Sequence, residues 1–595
     1  MKKKILLKLI LFLLVFASIH TNGQTFNGKK ASLNKEGNIK IENILLPVSN
    51  KEMTNSYEML PGFPIGEPAN PSFKNFRGAA IADLNGDSAQ EIIFGAYNKL
   101  FAVKGNGEIL WSKEVIGTII YPPGIADINH DGNLEIVVNT RAIPNAGRVY
   151  LLDSQGNDLT GWPKNFDDHG MFNSPAISDI NNNGFMEIVT CERATSTSNF
   201  LHVIKIDGNP LNNNWPVELP GPLAFTPSIG DIDANDTIDI VCSISAALYA
   251  INIDGNVMDG FPLADTNKKF SYQSPILADI NGDEKLDIIG SRHGDSADYY
   301  VVKSDGTYMN GWPIASEGWR YSPPTVVDSD NDGKYEIYVG HPNVDFYGIP
   351  LNVIYGFTPQ GTSLPGFPIK KYGGCEGVIS VADINNDGIM DIIFTSNISD
   401  SLYNGYIHAY SLDGSGELSG FPLRTRGLTF LSSALLGDIN NDGMLDLATL
   451  SYTQFTSNDS IFLSAYNLGV PYNKNKILFN GYKGNNLRDG LLKNFGMGIS
   501  QIDKTENKIL QIYPNPVTNN SIIIFNLSES SNVKLSVYNI NGQLINSLID
   551  ENMDKGIHQF NWSATDNSEK KLNAGIYLMK LQTNNSVKSL KIIVN

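Results

Sequence analysis

The chain has 595 residues, too many for one compact core at about 100–200 residues per domain, so it needs several units or one closed repeat array. Acidic residues number 62 against 44 basic ones, a net charge of −18 with no long Lys/Arg run, which excludes a nucleic-acid partner or attraction to an anionic membrane. With 18% charged and 41% hydrophobic residues, and with 55 Gly, 25 Tyr and 27 Phe, the composition is that of a folded, turn-rich, all-β protein.

Lys2, Lys3 and Lys4 precede an unbroken apolar run from Leu9 to Ala17. The run is too short for a bilayer and suits a secretory signal over residues 1–23. No Cys lies near the cut, and no later segment reads as a transmembrane span. Residues 24–55 are expected to form an N-terminal linker. Cys191, Cys242 and Cys375 are too few and too scattered for a disulfide framework and are expected to be buried apolar residues.

Residues 56–494 carry an internal repeat. Small apolar residues lead into Asp-x-[Asn/Asp]-x-[Asp/Asn]-x-x-x-[Asp/Glu], and an apolar β-branched run follows. The oxygen-bearing positions 1, 3, 5 and 9 are Asp83, Asn85, Asp87 and Glu91, then Asp127, Asn129, Asp131 and Glu135. Next come Asp179, Asn181, Asn183 and Glu187, then Asp231, Asp233, Asn235 and Asp239. The fifth and sixth copies hold Asp279, Asn281, Asp283 and Asp287, and Asp328, Asp330, Asp332 and Glu336. The last two hold Asp383, Asn385, Asp387 and Asp391, and Asp438, Asn440, Asp442 and Asp446. Successive copies lie 44 to 55 residues apart, the period of a β-propeller blade.

A second landmark keeps step. Phe63, Trp111, Trp162, Trp215, Phe261, Trp312, Phe367 and Phe421 lie 16 to 20 residues before the opening Asp, most of them inside Gly-[Trp/Phe]-Pro. Each period then reads as four short strands, with the acidic loop between the first two and a Gly turn before the last. Phe63 precedes the first acidic loop, so its strand is expected to complete the last blade and close the ring. The rival closing strand is Lys476-Ile-Leu-Phe479. The fold expected is an all-β, eight-bladed (alternatively seven-bladed) β-propeller followed by a small C-terminal β-sandwich.

A tight loop that points alternate oxygen side chains at one centre suits Ca²⁺, which takes six to eight oxygens. The acid at position 9, where an EF-hand has it at 12, and the flanking strands make this a β-hairpin calcium loop. The loops hold 24 carboxylates; up to eight Ca²⁺ are expected, and their +16 would nearly cancel the net −18. The sixth loop, with four acids, should bind most tightly and the third, with two, least. These loops resemble the FG-GAP/VCBS repeats of integrin α-chain propellers and bacterial surface proteins. The resemblance implies that residues 1, 3, 5 and 9 hold Ca²⁺ on the hairpin between a blade's first two strands. Integrin propellers have seven blades, whereas eight loops here argue for eight. Ser88, Asp236 and Glu284 replace the usual Gly at position 6, which questions the geometry of those three loops.

A linker over 495–510 precedes Ile512-Tyr-Pro-Asn-Pro516, Val537-Tyr-Asn-Ile-Asn-Gly542 and Leu572-Asn-Ala-Gly575-Ile-Tyr-Leu. Alternating apolar strands with Asn-Gly and Ala-Gly turns predict a sandwich of about seven strands. In this order the motifs over 511–595 closely resemble the type A sorting domain of the type IX secretion system. The resemblance implies that this segment engages the type IX machinery, that the protein leaves by way of the periplasm, and that it ends attached to or released at the cell surface.

The loops entering each first strand carry Phe76-Arg77, Tyr121, Phe172-Asn173, Phe225, Tyr272-Gln273, Arg320-Tyr321, Glu376 and Phe430. Aromatics with interleaved Arg and Asn suit sugar stacking, which makes Tyr121, Phe172, Tyr272, Arg320 and Tyr321 candidate ligand residues for an extracellular glycan or protein. The same regularity would also serve packing between blades. No catalytic signature appears, so binding is favoured over catalysis. The alternative is a polysaccharide lyase or hydrolase using His169, His293, Arg320 and Tyr321.

Overall fold

The computed structural model describes residues 25–594 except 34–38, 48–56, 71–76, 142–145, 168, 194–198, 224, 266, 271–272, 295–296, 317–320, 343–349, 454–458, 493–509, 514–516, 518–520, 528–529, 540–542, 569 and 585–586. The signal segment and nearly all of the linker at 495–510 lie outside this set. The chain divides into two compact units, and among the described residues it is built of strands with two short 3-10 turns.

The larger unit is a β-propeller body of antiparallel sheets, each following the four-strand order of one sequence period. Its first sheet runs Ala80–Ala82, Glu91–Ala96, Lys99–Val103, Ile109–Glu114, and the sheets that follow repeat that order. First and second strands are buried on both faces, as in Ala80–Ala82 and Glu91–Ala96, so they read as continuous apolar runs without alternation. The outer strand Ile65–Pro68 alternates half-buried and exposed residues. Tryptophans of the second landmark tie neighbouring sheets together. Trp111, Trp162, Trp215 and Trp312 each donate Nε1–H to a carbonyl of the next period's Gly turn, at 2.8–2.9 Å.

Strand Ile65–Pro68 pairs with Ser460–Leu463 and completes the sheet that holds the eighth acidic loop. The rival strand, Ile477–Phe479, instead joins the first strand of the seventh sheet, opposite Val381 and Ala382. Residues 24–55 are not a plain linker. Thr25–Leu33 and Ile39–Pro47 form a nine-pair hairpin whose first strand extends the seventh sheet by pairing Gly28, Lys29 and Lys30 with Asp400, Ser399 and Ile398. Buried Ala31 and Leu46 hold the hairpin to the body.

A segment whose sequence signal was confined to Lys476-Ile-Leu-Phe479 sits where the first strands converge. Backbone N–H groups of Ile125, Ile177, Ile229 and Leu277, all in first strands, donate to the carbonyls of Asn486, Leu487, Asp489 and Gly490 at 2.8–2.9 Å. The Asn486 amide donates to Ile81 O, and the Asn480 amide bonds both the N–H and the C=O of Leu436. Among the described residues, hydrogen bonds thus tie one strap, residues 476–492, to the first strands of seven sheets. Arg488, 1% exposed, donates to the carbonyls of Ala79, Pro123, Tyr482 and Asn485. Lys483, also 1% exposed, donates to Pro227 O and Ser228 Oγ. Protein oxygens thus partner both buried side chains, as burial of a polar group demands.

The second unit has two antiparallel sheets. Gln511–Tyr513, Ser521–Leu527 and Gly556–Trp562 form one, and Leu544–Met553, Ser531–Asn539, Gly575–Gln582 and Val587–Val594 form the other. They share a core that includes Ile523, Phe525, Val533, Leu535, Trp562, Met579 and Ile592.

Candidate functional site

The acidic hairpins are built by their own hydrogen bonds. In all eight, the position 2 N–H donates to the position 9 carboxylate, from Leu84 to Glu91 (2.9 Å) through Ile439 to Asp446 (3.0 Å). The position 1 carboxylate closes the turn, with Asp127 accepting from the N–H groups of Asp131 and Gly132 at 3.1 Å. Positions 4 and 6 are both left-handed throughout. His130, Asn182, Ala234, Asn331, Asn386 and Asn441 take φ of 55–60° at position 4, beside Gly86 and Gly282. At position 6, Ser88 (φ 72°), Asp236 (66°) and Glu284 (67°) follow the same trace as the glycines. The three departures therefore keep the loop geometry, each at a strain of about 1 kcal/mol.

Every position 9 carboxylate is buried, none more than 7% exposed. Burial, with the neighbouring loop carboxylates adding to it, pushes Glu135, Asp239, Asp287, Asp391 and Asp446 up to about 7. One oxygen each of Asp239, Asp391 and Asp446, and one of Asp233, is buried without a hydrogen-bond partner. Carboxylate oxygens of Asp231, Asp233 and Asp239 lie within 4.8 Å of one another, as do those of Asp328, Asp330 and Asp332. Buried orphan carboxylate oxygens in an all-oxygen donor set fit a hard cation. Sequence reasoning missed Lys476, whose ammonium contacts the position 1 Asp383 and the Asn386 amide oxygen, adding a protein cation to the seventh loop.

The candidate ligand face is changed by the strap. Tyr121 (8% exposed) and Tyr321 (2%) are buried, not presented for stacking. The Tyr121 ring lies 6.0 Å from that of the strap residue Tyr482. Tyr482 also reaches Ser274 and Thr226. Phe172 is half-buried, with the Arg141 and Arg193 guanidiniums 3.8 and 5.1 Å from its ring centre. Tyr272 and Arg320 lie outside the described residues. Chain filling of the space between first strands is the physical reason the ring of aromatics serves packing.

The alternative acid–base set is not assembled in one place. His293 is fully buried and stacks near Tyr321, at 6.3 Å. His169 lies apart from them, in a pocket of about 300 Å³ with Glu192, His202, Phe166 and Phe200. Antiparallel pairing of Thr190 with His202 puts Glu192, Phe200 and His202 on one sheet face, while Cys191 and Leu201 turn into the core. His169 Nδ1 meets Glu192 Oε2 and His202 Nε2 meets Glu192 Oε1. Burial lowers His202 to about 4, so its ring is neutral near pH 7. Sequence reading found His169 but not Glu192 or His202, because their partnership depends on strand register.

Residues 511–595 match the secretion system C-terminal sorting domain family, and residues 383–449 match the FG-GAP-like repeat. No curated protein matches the chain. Among solved structures it is similar to the biofilm matrix protein Bap1 of V. cholerae at 14% identity, covering 76% of this chain and 94% of that one with a TM-score of 0.33. It is similar to PorZ, an essential surface component of the type-IX secretion system of Porphyromonas gingivalis, at 10% identity over 97% and 82%, TM-score 0.28. Sqt1 of Saccharomyces cerevisiae is similar at 9% identity over 68% and 99%, TM-score 0.45. The chain thus combines FG-GAP-like repeats in a β-propeller with a type IX secretion sorting domain, the mark of a secreted or cell-surface-attached protein.

Proposed function

We propose that this is an eight-bladed, calcium-loaded propeller, displayed outside the cell by a sandwich-type sorting domain, where it binds an extracellular glycan or protein. The observation that carries the calcium reading is the set of eight buried position 9 carboxylates, several with an orphan oxygen. Calcium would be held by positions 1, 3, 5 and 9 of each loop, with Lys476 weakening the seventh site. Its charge would relieve the repulsion within each hairpin. Ring closure is supported by Ile65–Pro68 in the eighth sheet and by the Gln90 side chain of the first loop accepting from Asp438 N–H at 3.0 Å. A site with Kd near 0.1 mM adds about 1.4 kcal/mol at 1 mM calcium, and several sites sum. Thermal unfolding should therefore shift upward strongly in calcium relative to chelator. Superimposable curves would refute the calcium reading.

Polysaccharide cleavage is the second reading, favoured by the cluster that pairs a carboxylate with two imidazoles, Glu192 with His169 and His202. Product analysis after incubation with polysaccharides separates the two. Intact recovered polymer supports binding, and shortened or unsaturated oligosaccharides lost in Glu192→Gln support cleavage.

A further inference from the structure

The seam between the second and third sheets holds a pocket built unlike the acidic loops. Its floor is polar and buried. Glu192 is 4% exposed, and each of its oxygens is taken by a different imidazole. The second ring nitrogens, His169 Nε2 and His202 Nδ1, can each meet a hydroxyl, which both donates and accepts. Its walls are apolar. Phe166 and Phe200 are half-buried, with the His202 ring edge-on to Phe166 at 4.9 Å, and exposed Asn165 adds an amide that can donate and accept.

A volume of about 300 Å³ is at the lower end of small-molecule pockets and takes a single small ring. A pyranose presents an apolar C–H face to an aromatic wall and hydroxyl donors to nitrogen and carboxylate acceptors. Among the described residues the lining holds no Lys or Arg, and the chain carries −18, which disfavours a uronate or sulfate. One imidazole per carboxylate oxygen is a hydrogen-bonded bridge, whereas a metal would gather all three groups on one centre. We propose that this seam binds one neutral pyranose residue of an extracellular polysaccharide, stacked between Phe166 and Phe200 and hydrogen-bonded by His169, His202 and Glu192. The proposal rests on the surface-binding reading and gives it a site.

The test is affinity electrophoresis of the full mature chain in calcium, in gels containing mannan, xylan, laminarin or dextran, with alginate as the acidic control. Retardation by a neutral polymer is expected, weakened about tenfold or more in Phe200→Ala and in the near-isosteric Glu192→Gln, as loss of a stacking wall or a central acceptor implies. Melting curves of both variants confirm that the third sheet stays folded, and Glu192→Gln answers the question if Phe200→Ala does not fold. Retardation unchanged in Glu192→Gln and in every folded wall variant overturns the subsite and leaves surface binding standing. Retardation by alginate alone overturns the neutral-sugar assignment. Stoichiometric zinc uptake that disappears in His169→Ala with His202→Ala overturns it in favour of a metal. Wild type that no polymer retards also overturns it, and protein capture by that same sample would show that the broader reading survives.

Discussion

At the scale of single residues, the position 9 carboxylates set how stability depends on pH. Free in an unfolded chain, an Asp ionises near 3.9, whereas Asp239, Asp287, Asp391 and Asp446 are held up to about 7 in the fold. Between those values the folded state binds more protons, so the metal-free protein loses stability as pH rises from about 4 to 7. Calcium needs the ionised form, so its stabilising increment should grow from about pH 5 to pH 8. Paired melting scans in calcium and chelator at each pH check this, and a constant increment would contradict it. Asp446→Asn should act with opposite signs in the two buffers. In chelator it removes a buried orphan charge and raises the melting temperature, while in calcium it deletes a ligand and lowers stability by about 1 kcal/mol. The same sign in both buffers would remove Asp446 from the cation site.

At the scale of elements, the acidic hairpins and outer strands were legible because they repeat. Position 9 is acidic in every copy, and the Gly-[Trp/Phe]-Pro landmark sits at near-constant spacing. The left-handed position 4 also had a signal, Gly or Asn in six of eight loops. Beyond Lys476-Ile-Leu-Phe479 the strap had none, since most of its bonds run through backbone carbonyls that any residue supplies, and only the charged Lys483, Arg488 and Asp489 are unusual for buried positions. It also explains why Tyr121 was misread, because aromatic spacing is the same whether a ring faces solvent or a strap, while Tyr321 is buried beside His293. Arg488→Ala would orphan carbonyls just ahead of the first strands of the first and second sheets and within the strap itself. It should destabilise the calcium-loaded propeller by about 3 kcal/mol or more, read by denaturant unfolding. A loss below about 1 kcal/mol would mean that the strap fills space without fastening the sheets.

At the scale of the whole molecule, division into a repeat body and a C-terminal module was readable from the end of the 44–55-residue period and from the motifs after Gln511. What the sequence hid was register, which alone brings Glu192 to His202, and the hairpin that turns residues 25–47 into added strands. The sorting module has its own core around Phe525, Leu535, Trp562 and Met579 and a three-strand and a four-strand sheet, as a unit that folds on its own requires. Removing residues 511–595 should then leave the propeller folded, with an unchanged calcium-dependent melting curve, but held inside the outer membrane. Cell fractionation with surface proteolysis reads this directly. A truncated chain that reaches the medium or the surface as the full chain does would show that export is directed from elsewhere. A truncated chain that is trapped and also unfolded would show that the two units share stability, in which case trapping alone could not be assigned to a lost sorting signal.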